Sequence, residues 1–135
     1  MLGPFRIAVS LICLVSASHP PLPSAAGDVA DASNIGFVLY TRSLAPGTLN
    51  ARWIYANTYS GPGIATGGPR EGYAGNYHVR YFFDSGEFSD EYDLVIEKTK
   101  DVYKASWISK GKVAAVGVGM EVENGLAIGW SRIAD

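Results

Sequence analysis

The chain of 135 residues is poor in the side chains that carry most protein chemistry. It has one cysteine, Cys13, and two histidines, His19 and His78. Cys13 lies in an apolar run, residues 7–17, broken only by Ser10 and Ser16. About 11 residues long, the run is well short of the roughly 20 that a helix needs to cross a bilayer. A weakly basic start bearing Arg6 precedes it. The breaker His19-Pro20-Pro21-Leu22-Pro23 and the small residues Ser24-Ala25-Ala26 follow. That order is the order of a secretory signal. Cleavage is expected after Ala26, with Ala17 as the second choice. Ile12 directly before Cys13, in mid-run, excludes a lipoprotein signal. Residues 27–135 therefore lack cysteine, which excludes disulfides, thiolate catalysis and thiolate metal ligation. Export without disulfides suits a bacterial periplasm or the medium.

Positive charge is also scarce. Lys and Arg number 11 against 13 Asp and Glu, for a net charge of −2. Removing Arg6 with the signal leaves 10 against 13, or −3. Binding to phosphate backbones needs a basic surface, so nucleic acid is not an expected partner. A polybasic membrane patch is missing for the same reason, and no membrane span is expected once the signal is gone. A sustained three-four spacing of apolar residues is missing after the signal, so almost no helix is expected.

What the sequence does contain is a repeated stretch. Ala51-Arg52-Trp53-Ile54 is followed by Gly63-Ile64-Ala65, and Ala105-Ser106-Trp107-Ile108 by Gly117-Val118-Gly119. Each tryptophan precedes its glycine by 10 positions, and the copies lie 54 apart. One supersecondary unit used twice explains this. Around it the pattern has a period of two, which marks half-buried strands. Residues 35–42, 49–55, 63–66, 77–83, 92–97, 103–109, 113–120 and 126–132 read as strands. Residues 57–62 read as loop and Gly67-Gly68-Pro69-Arg70-Glu71-Gly72 as a strong break. Ala45-Pro46-Gly47-Thr48, Asp84-Ser85-Gly86-Glu87, Ser109-Lys110-Gly111-Lys112 and Asn124-Gly125 are turns.

Eight strands with short links must hide their edges and their apolar face. Closing into a barrel does both. The expected fold is all-β: an eight-stranded antiparallel up-and-down barrel of two similar four-stranded halves, with a β-sandwich as the alternative. The expected organisation is a signal at 1–26, a flexible leader at 27–34 and one barrel domain at 35–135. Gly63, Gly117, Gly119 and Gly129 are expected where the sheet bends or where a bulky neighbour lies on the backbone, with Trp53 and Trp107 as those neighbours.

The chemistry-bearing residues are few. Trp53, Tyr55, Tyr77, Tyr81, Tyr103, Trp107 and Trp130 would form an aromatic ligand platform inside the barrel, or simply fill it. His78 and Arg80 share one strand face, and Asp93 or Glu97 should lie on the next strand. These would form a polar site for acid–base work, or a solvated outer wall. One histidine without cysteine makes a metal site improbable; Glu121, Glu123 and Asn124 read as a solvated hairpin. No Gly-x-Ser-x-Gly elbow or phosphate loop occurs. No cofactor is expected.

The run Tyr77-x-Val79-x-Tyr81, Tyr92-x-Leu94-x-Ile96, Tyr103-x-x-x-Trp107, Gly117-x-Gly119 and Leu126-Ala127-x-Gly129-Trp130 resembles small exported bacterial β-barrel proteins of the avidin/lipocalin type. The resemblance implies the barrel and a binding role. Lipocalins carry Gly-x-Trp on the first strand and a late Arg packed on that Trp. Here Ala51-Arg52-Trp53 has Ala in place of Gly and falls on the second strand, and Arg132 is the candidate Arg. No biotin-contacting residue can be aligned. The leading expectation is a non-catalytic barrel binding a small apolar or aromatic molecule. An envelope or extracellular interaction module, using residues 27–34 or the stretch 57–76, is second. A small-barrel cyclase or isomerase using His78 is third.

Overall fold

Alternation of large apolar with polar side chains dictates strands, and the computed structural model contains eight of them. It describes residues 31–134; the signal, its cleavage sites and the start of the leader lie outside the described residues. The strands are β1 (Gly36–Arg42), β2 (Leu49–Tyr55), β3 (Tyr59–Thr66), β4 (Gly75–Phe82), β5 (Phe88–Thr99), β6 (Val102–Ser109), β7 (Lys112–Val122) and β8 (Gly125–Arg132). Each pairs antiparallel with the next, and β8 returns to β1 with Gly36 opposite Trp130 and Tyr40 opposite Leu126. The fold is a closed eight-stranded up-and-down barrel, without helix among the described residues. Closure leaves no sheet edge free to pair with another chain.

The repeated stretch is a repeated hairpin. In β2–β3, Ala51 faces Gly63 and Trp53 faces Gly61; in β6–β7, Ala105 faces Gly117 and Trp107 faces Ala115. The register is the same in both copies. The expectation that the two tryptophans cover strand glycines is corrected. At Gly63 an added Cβ would lie 2.6 Å from the Tyr81 ring, and at Gly36 it would lie 2.1 Å from Trp130. Trp53 is drawn elsewhere, because its Nε1 donates to the Pro62 and Phe82 carbonyls at 3.1 and 3.0 Å.

A second correction concerns residues 57–62. The strand expected at 63–66 starts at Tyr59, which pairs with Tyr55 across a three-residue turn. Gly61-Pro62 conceals this in the sequence. Proline is tolerated here because the ladder to β4 stops at Gly63, and the Phe82 carbonyl, opposite Pro62 in the continued register, accepts from Trp53 Nε1 instead of from a residue-62 N–H.

Inward residues fill the barrel. Tyr40, Leu49, Leu94, Leu126 and Ile128 have no exposed surface. Polar tips in this core are paired. The Tyr40 and Tyr81 hydroxyls are 2.5 Å apart, and Trp107 Nε1 donates to the Tyr81 oxygen at 2.7 Å. Among the described residues no buried side-chain polar atom lacks a partner.

One end of the barrel is sealed by the connection 67–74. Gly68 N donates to Gly47 O at 3.0 Å, Arg42 donates to the Pro69 and Gly72 carbonyls, and the Tyr77 hydroxyl donates to Tyr73 O at 2.9 Å. Gly68 permits this closure: a Cβ there would lie 2.0 Å from the Tyr77 ring. The stretch 57–76 is thus not one long loop but a turn, a strand and a plug.

Candidate functional site

The opposite end is open. It is built from the start of β1 and the ends of β2, β4, β6 and β8, with the starts of β3, β5 and β7. Between them lies a cavity of about 500 Å³. That volume falls in the range of small-molecule sites. Its floor is Val38, Ala115 and the Tyr81–Trp107 pair; its walls are Trp53, Tyr55, Tyr59, Phe83, Tyr92 and Trp130.

Local sequence explains how the walls stand. β4 and β5 slip in register between Tyr81 and Phe82. The extra residue is Ser89 on β5, and it joins Asp90 in the lining; Phe83 lines the cavity by continuing the inward alternation of Tyr77, Val79 and Tyr81. The turn that carries Phe83 is held by Asp84, which receives a hydrogen bond from Ser60 and an ion pair from Arg52 at 2.8 Å. The Ser60 bond, then Arg52, holds the Asp84 carboxyl below its ordinary pKa. Gly61 makes room nearby, since a Cβ there would lie 1.8 Å from the Phe82 carbonyl oxygen.

The aromatic groups form a continuous lining. Tyr55 stacks on Trp130 with centroids 5.0 Å apart and planes at 12°. Trp130 leans on Trp107 at 6.0 Å, and Trp53 meets Tyr81 edge-on at 6.1 Å and Phe83 at 6.0 Å. Tyr59 follows Phe83 at 6.0 Å. Asn34 latches the seam of β1 and β8 at this end: its side chain accepts from Arg132 N at 2.7 Å and from the Tyr55 hydroxyl at 3.3 Å, and donates to Arg132 O at 3.0 Å.

Two ionised groups stand at the rim. Asp90 accepts a hydrogen bond from the Tyr92 hydroxyl, and Arg132 lies 3.9 Å from the same carboxylate. The Arg132 guanidinium also sits 5.4 Å from the centroid of the Tyr55 ring. Burial, then the bond to Asp90, pushes the Tyr92 phenol up to about 12. The buried phenols of Tyr40 and Tyr81 are raised as well, by loss of hydration first. The cavity therefore presents aromatic rings, with the side chains of Asp90 and Arg132 at its rim.

Of the seven aromatics expected in one platform, the structure brings together Trp53, Tyr55, Tyr81, Trp107 and Trp130. Tyr77 and Tyr103 belong to the other end. Tyr77 packs under the plug, and Tyr103 donates to Glu121 beside Lys98, in a second, more open pocket of about 590 Å³ on the rim of β6 and β7. The reason is register: both rings point inward, but they lie several residues away from the mouth along their strands. Tyr59, Phe83, Tyr92, Asp90 and Arg132 were not among the expected ligand residues. Tyr92 shows a usable signal, because it shares the inward parity of Leu94 and Ile96.

His78, Arg80 and Asp93 stand together on the outer wall. His78 faces Asp93 across β4–β5, with Nδ1 3.4 Å from Asp93 and Nε2 2.6 Å from Glu91. The Glu91 bond, then Asp93, raises the His78 pKa. Arg80 lies over Phe88 and Phe82. Glu97 faces Lys104 instead. None of these lines the cavity, and among the described residues no group of three or more His, Cys, Asp or Glu side chains is placed to hold a metal ion.

The fold and the mouth define a closed β-barrel with one sealed end and one open, ring-lined end. Comparison with protein-family models, curated proteins and solved structures found no match. The lipocalin-type contact is not reproduced in its usual form, since Arg132 covers Tyr55 rather than Trp53.

Proposed function

We propose that this is an exported, non-catalytic binding protein that takes a small apolar or aromatic molecule into the mouth of its barrel. The supporting observation is the ring-lined cavity of about 500 Å³. The indole N–H groups of Trp53 and Trp107 are already bonded within the protein. What those rings have left to offer a ligand is flat apolar surface, whose removal from water drives binding. A hydrogen-bond donor on the ligand would meet Asp90 at the rim. Export rests on the N-terminal signal pattern, and the avidin/lipocalin resemblance favours the same reading. The interaction-module alternative loses its motivation, because the stretch 57–76 is largely a strand and a bonded plug. The cyclase or isomerase alternative loses its shelter, because His78 faces outward.

Titrating the purified protein with a hydrophobic fluorophore tests this. Tryptophan emission should be quenched and should saturate near one ligand per chain. Trp130→Leu should weaken binding several-fold without loss of the fold. Unchanged emission at saturating probe would count decisively against the reading.

A further inference from the structure

The barrel wall has two unlike sides. The outward residues of β4 and β5 include His78, Arg80, Glu91, Asp93 and Glu97. The outward residues along the paired part of β7, β8 and β1 carry no charge: Val116, Val118, Met120 and Val122, then Ala127, Gly129 and Ser131, then Phe37, Leu39 and Thr41. Large apolar groups are left in water there. Val118 is 65 % exposed, Met120 63 % and Phe37 44 %.

The relief of this wall has a definite form. Register places Val118, Gly129, Phe37 and Ile54 in one row across four strands, with Met120, Ala127 and Leu39 in the next. The outward positions of β8 are all small, so a valley runs along β8. The β7 side chains form a ridge on one flank and Phe37 with Leu39 form the other. Space outside Gly129 is open: an added Cβ would meet only the Gly36 carbonyl, at 4.0 Å.

We infer that this wall is the interface of a homodimer, in which the β7 ridge of each copy lies in the β8 valley of the other about a two-fold axis. Three considerations fix the occupant as a second copy. Ridge and valley on one surface are self-complementary under two-fold rotation, which gives a closed dimer. A head-to-tail contact against the β4–β5 wall would take the His78–Glu91–Asp93 cluster and Arg80 out of water, at a cost of desolvation. The fractional exposures along the wall leave roughly 500 Å² of side chain in water per copy, so full coverage in a pair buries on the order of 1,000 Å², the lower bound for a specific interface. Depletion of charge at the centre of such a surface is also the composition of interface cores. A lipid bilayer is a poorer occupant, because a membrane barrel is apolar on its whole circumference and here β4 and β5 present five ionisable residues.

Light scattering on the purified protein at tens of micromolar, coupled to size exclusion, reads the outcome. Wild type should run at twice the chain mass. Val118→Lys with Met120→Lys should run at the single mass, with an unchanged strand signal in circular dichroism. Gly129→Lys, placed in open space, should do the same and guards against a folding defect in the double variant. Arg80→Glu on the opposite wall should remain a dimer. A wild-type monomer at these concentrations would overturn the inference, as would a dimer that survives both wall variants. Neither result bears on ligand uptake at the mouth.

Discussion

The two ends of the barrel are made from the same kinds of residue and do opposite things. At the plugged end, Tyr40, Leu49, Leu126 and Tyr77 are packed under a connection pinned by Arg42 and Gly68. At the open end, Trp53, Tyr55, Phe83 and Trp130 stand around empty space. The difference does not lie in how aromatic each end is. It lies in link length: the three turns at the mouth between 56–58, 83–87 and 110–111 are too short to fold over the opening, whereas 67–74 reaches back across its end. The lesson is that one loop decides whether an end of a barrel of this size is packed shut or left open.

That difference can be broken by mutation, and the largest effect should come from the sealed side. Leu126→Ala should lower unfolding free energy in urea by about 3 kcal/mol, because the fully buried site cannot collapse around the void. Tyr59→Ala at the mouth should cost less than about 1 kcal/mol by the same measurement, since its side chain is half exposed. Equal losses at the two positions would erase the distinction between the ends.

Next in size is the link between the ends. Tyr81→Phe removes the oxygen that receives Trp107 Nε1 and faces the Tyr40 hydroxyl. Two buried polar groups would be orphaned, at a cost of about 2 kcal/mol in urea. Alkali acts on the same groups. A phenol whose pKa is raised by folding contributes stability that is whole below its unfolded pKa and is lost as pH rises through the folded value. Tyr92 is pushed up to about 12 and Tyr40 and Tyr81 move the same way. Stability should therefore fall from pH of about 10 upward, with tyrosinate absorbance rising as the tryptophan signal is lost. Free ionisation of all tyrosines near pH of about 10 in the folded state would contradict the burial of the core.

The smallest effect belongs to the outer wall. His78 has its pKa raised by Glu91 and Asp93. The stability it contributes is complete below pH of about 6.5 and is lost as pH rises through the folded value. The group is half exposed, so screening limits this to about 0.3 kcal/mol. Urea curves on both sides of neutrality should show that difference in wild type and lose it in His78→Gln.

The barrel was legible in the chain because its cues are local. Period-two alternation at Tyr77–Tyr81 and Leu126–Trp130, and turn residues such as Lys110-Gly111 (φ 53° and 78°), each act over a few positions. The repeat at Trp53 and Trp107 even carried its register. The site was legible only in part. Inward parity identified the rings, but height along the barrel depends on strand stagger, which no local pattern records. Tyr77 and Tyr103 were therefore grouped with Trp53 and Trp107, although they close the other end. Phe83 shares the inward parity of Tyr77 and Tyr81 but was not drawn into the platform, and Asp90 lay before the strand expected to start at Tyr92, although β5 begins at Phe88. β3 was cut short at Gly61-Pro62 because its tolerance of proline depends on a donor remote in sequence, the Trp53 indole, which serves the Phe82 carbonyl.

Amide and indole chemical shifts, followed by NMR while an apolar aromatic probe is added, bear most directly on the account. The indole N–H signals of Trp107 and Trp130 and the amides of Phe83 and Tyr92 should move and saturate together, while the amides of Gly68 and Tyr77 stay still. Shifts concentrated in residues 67–74, or scattered over the outer wall with the indoles unmoved, would show that the open end is not where this barrel receives a molecule.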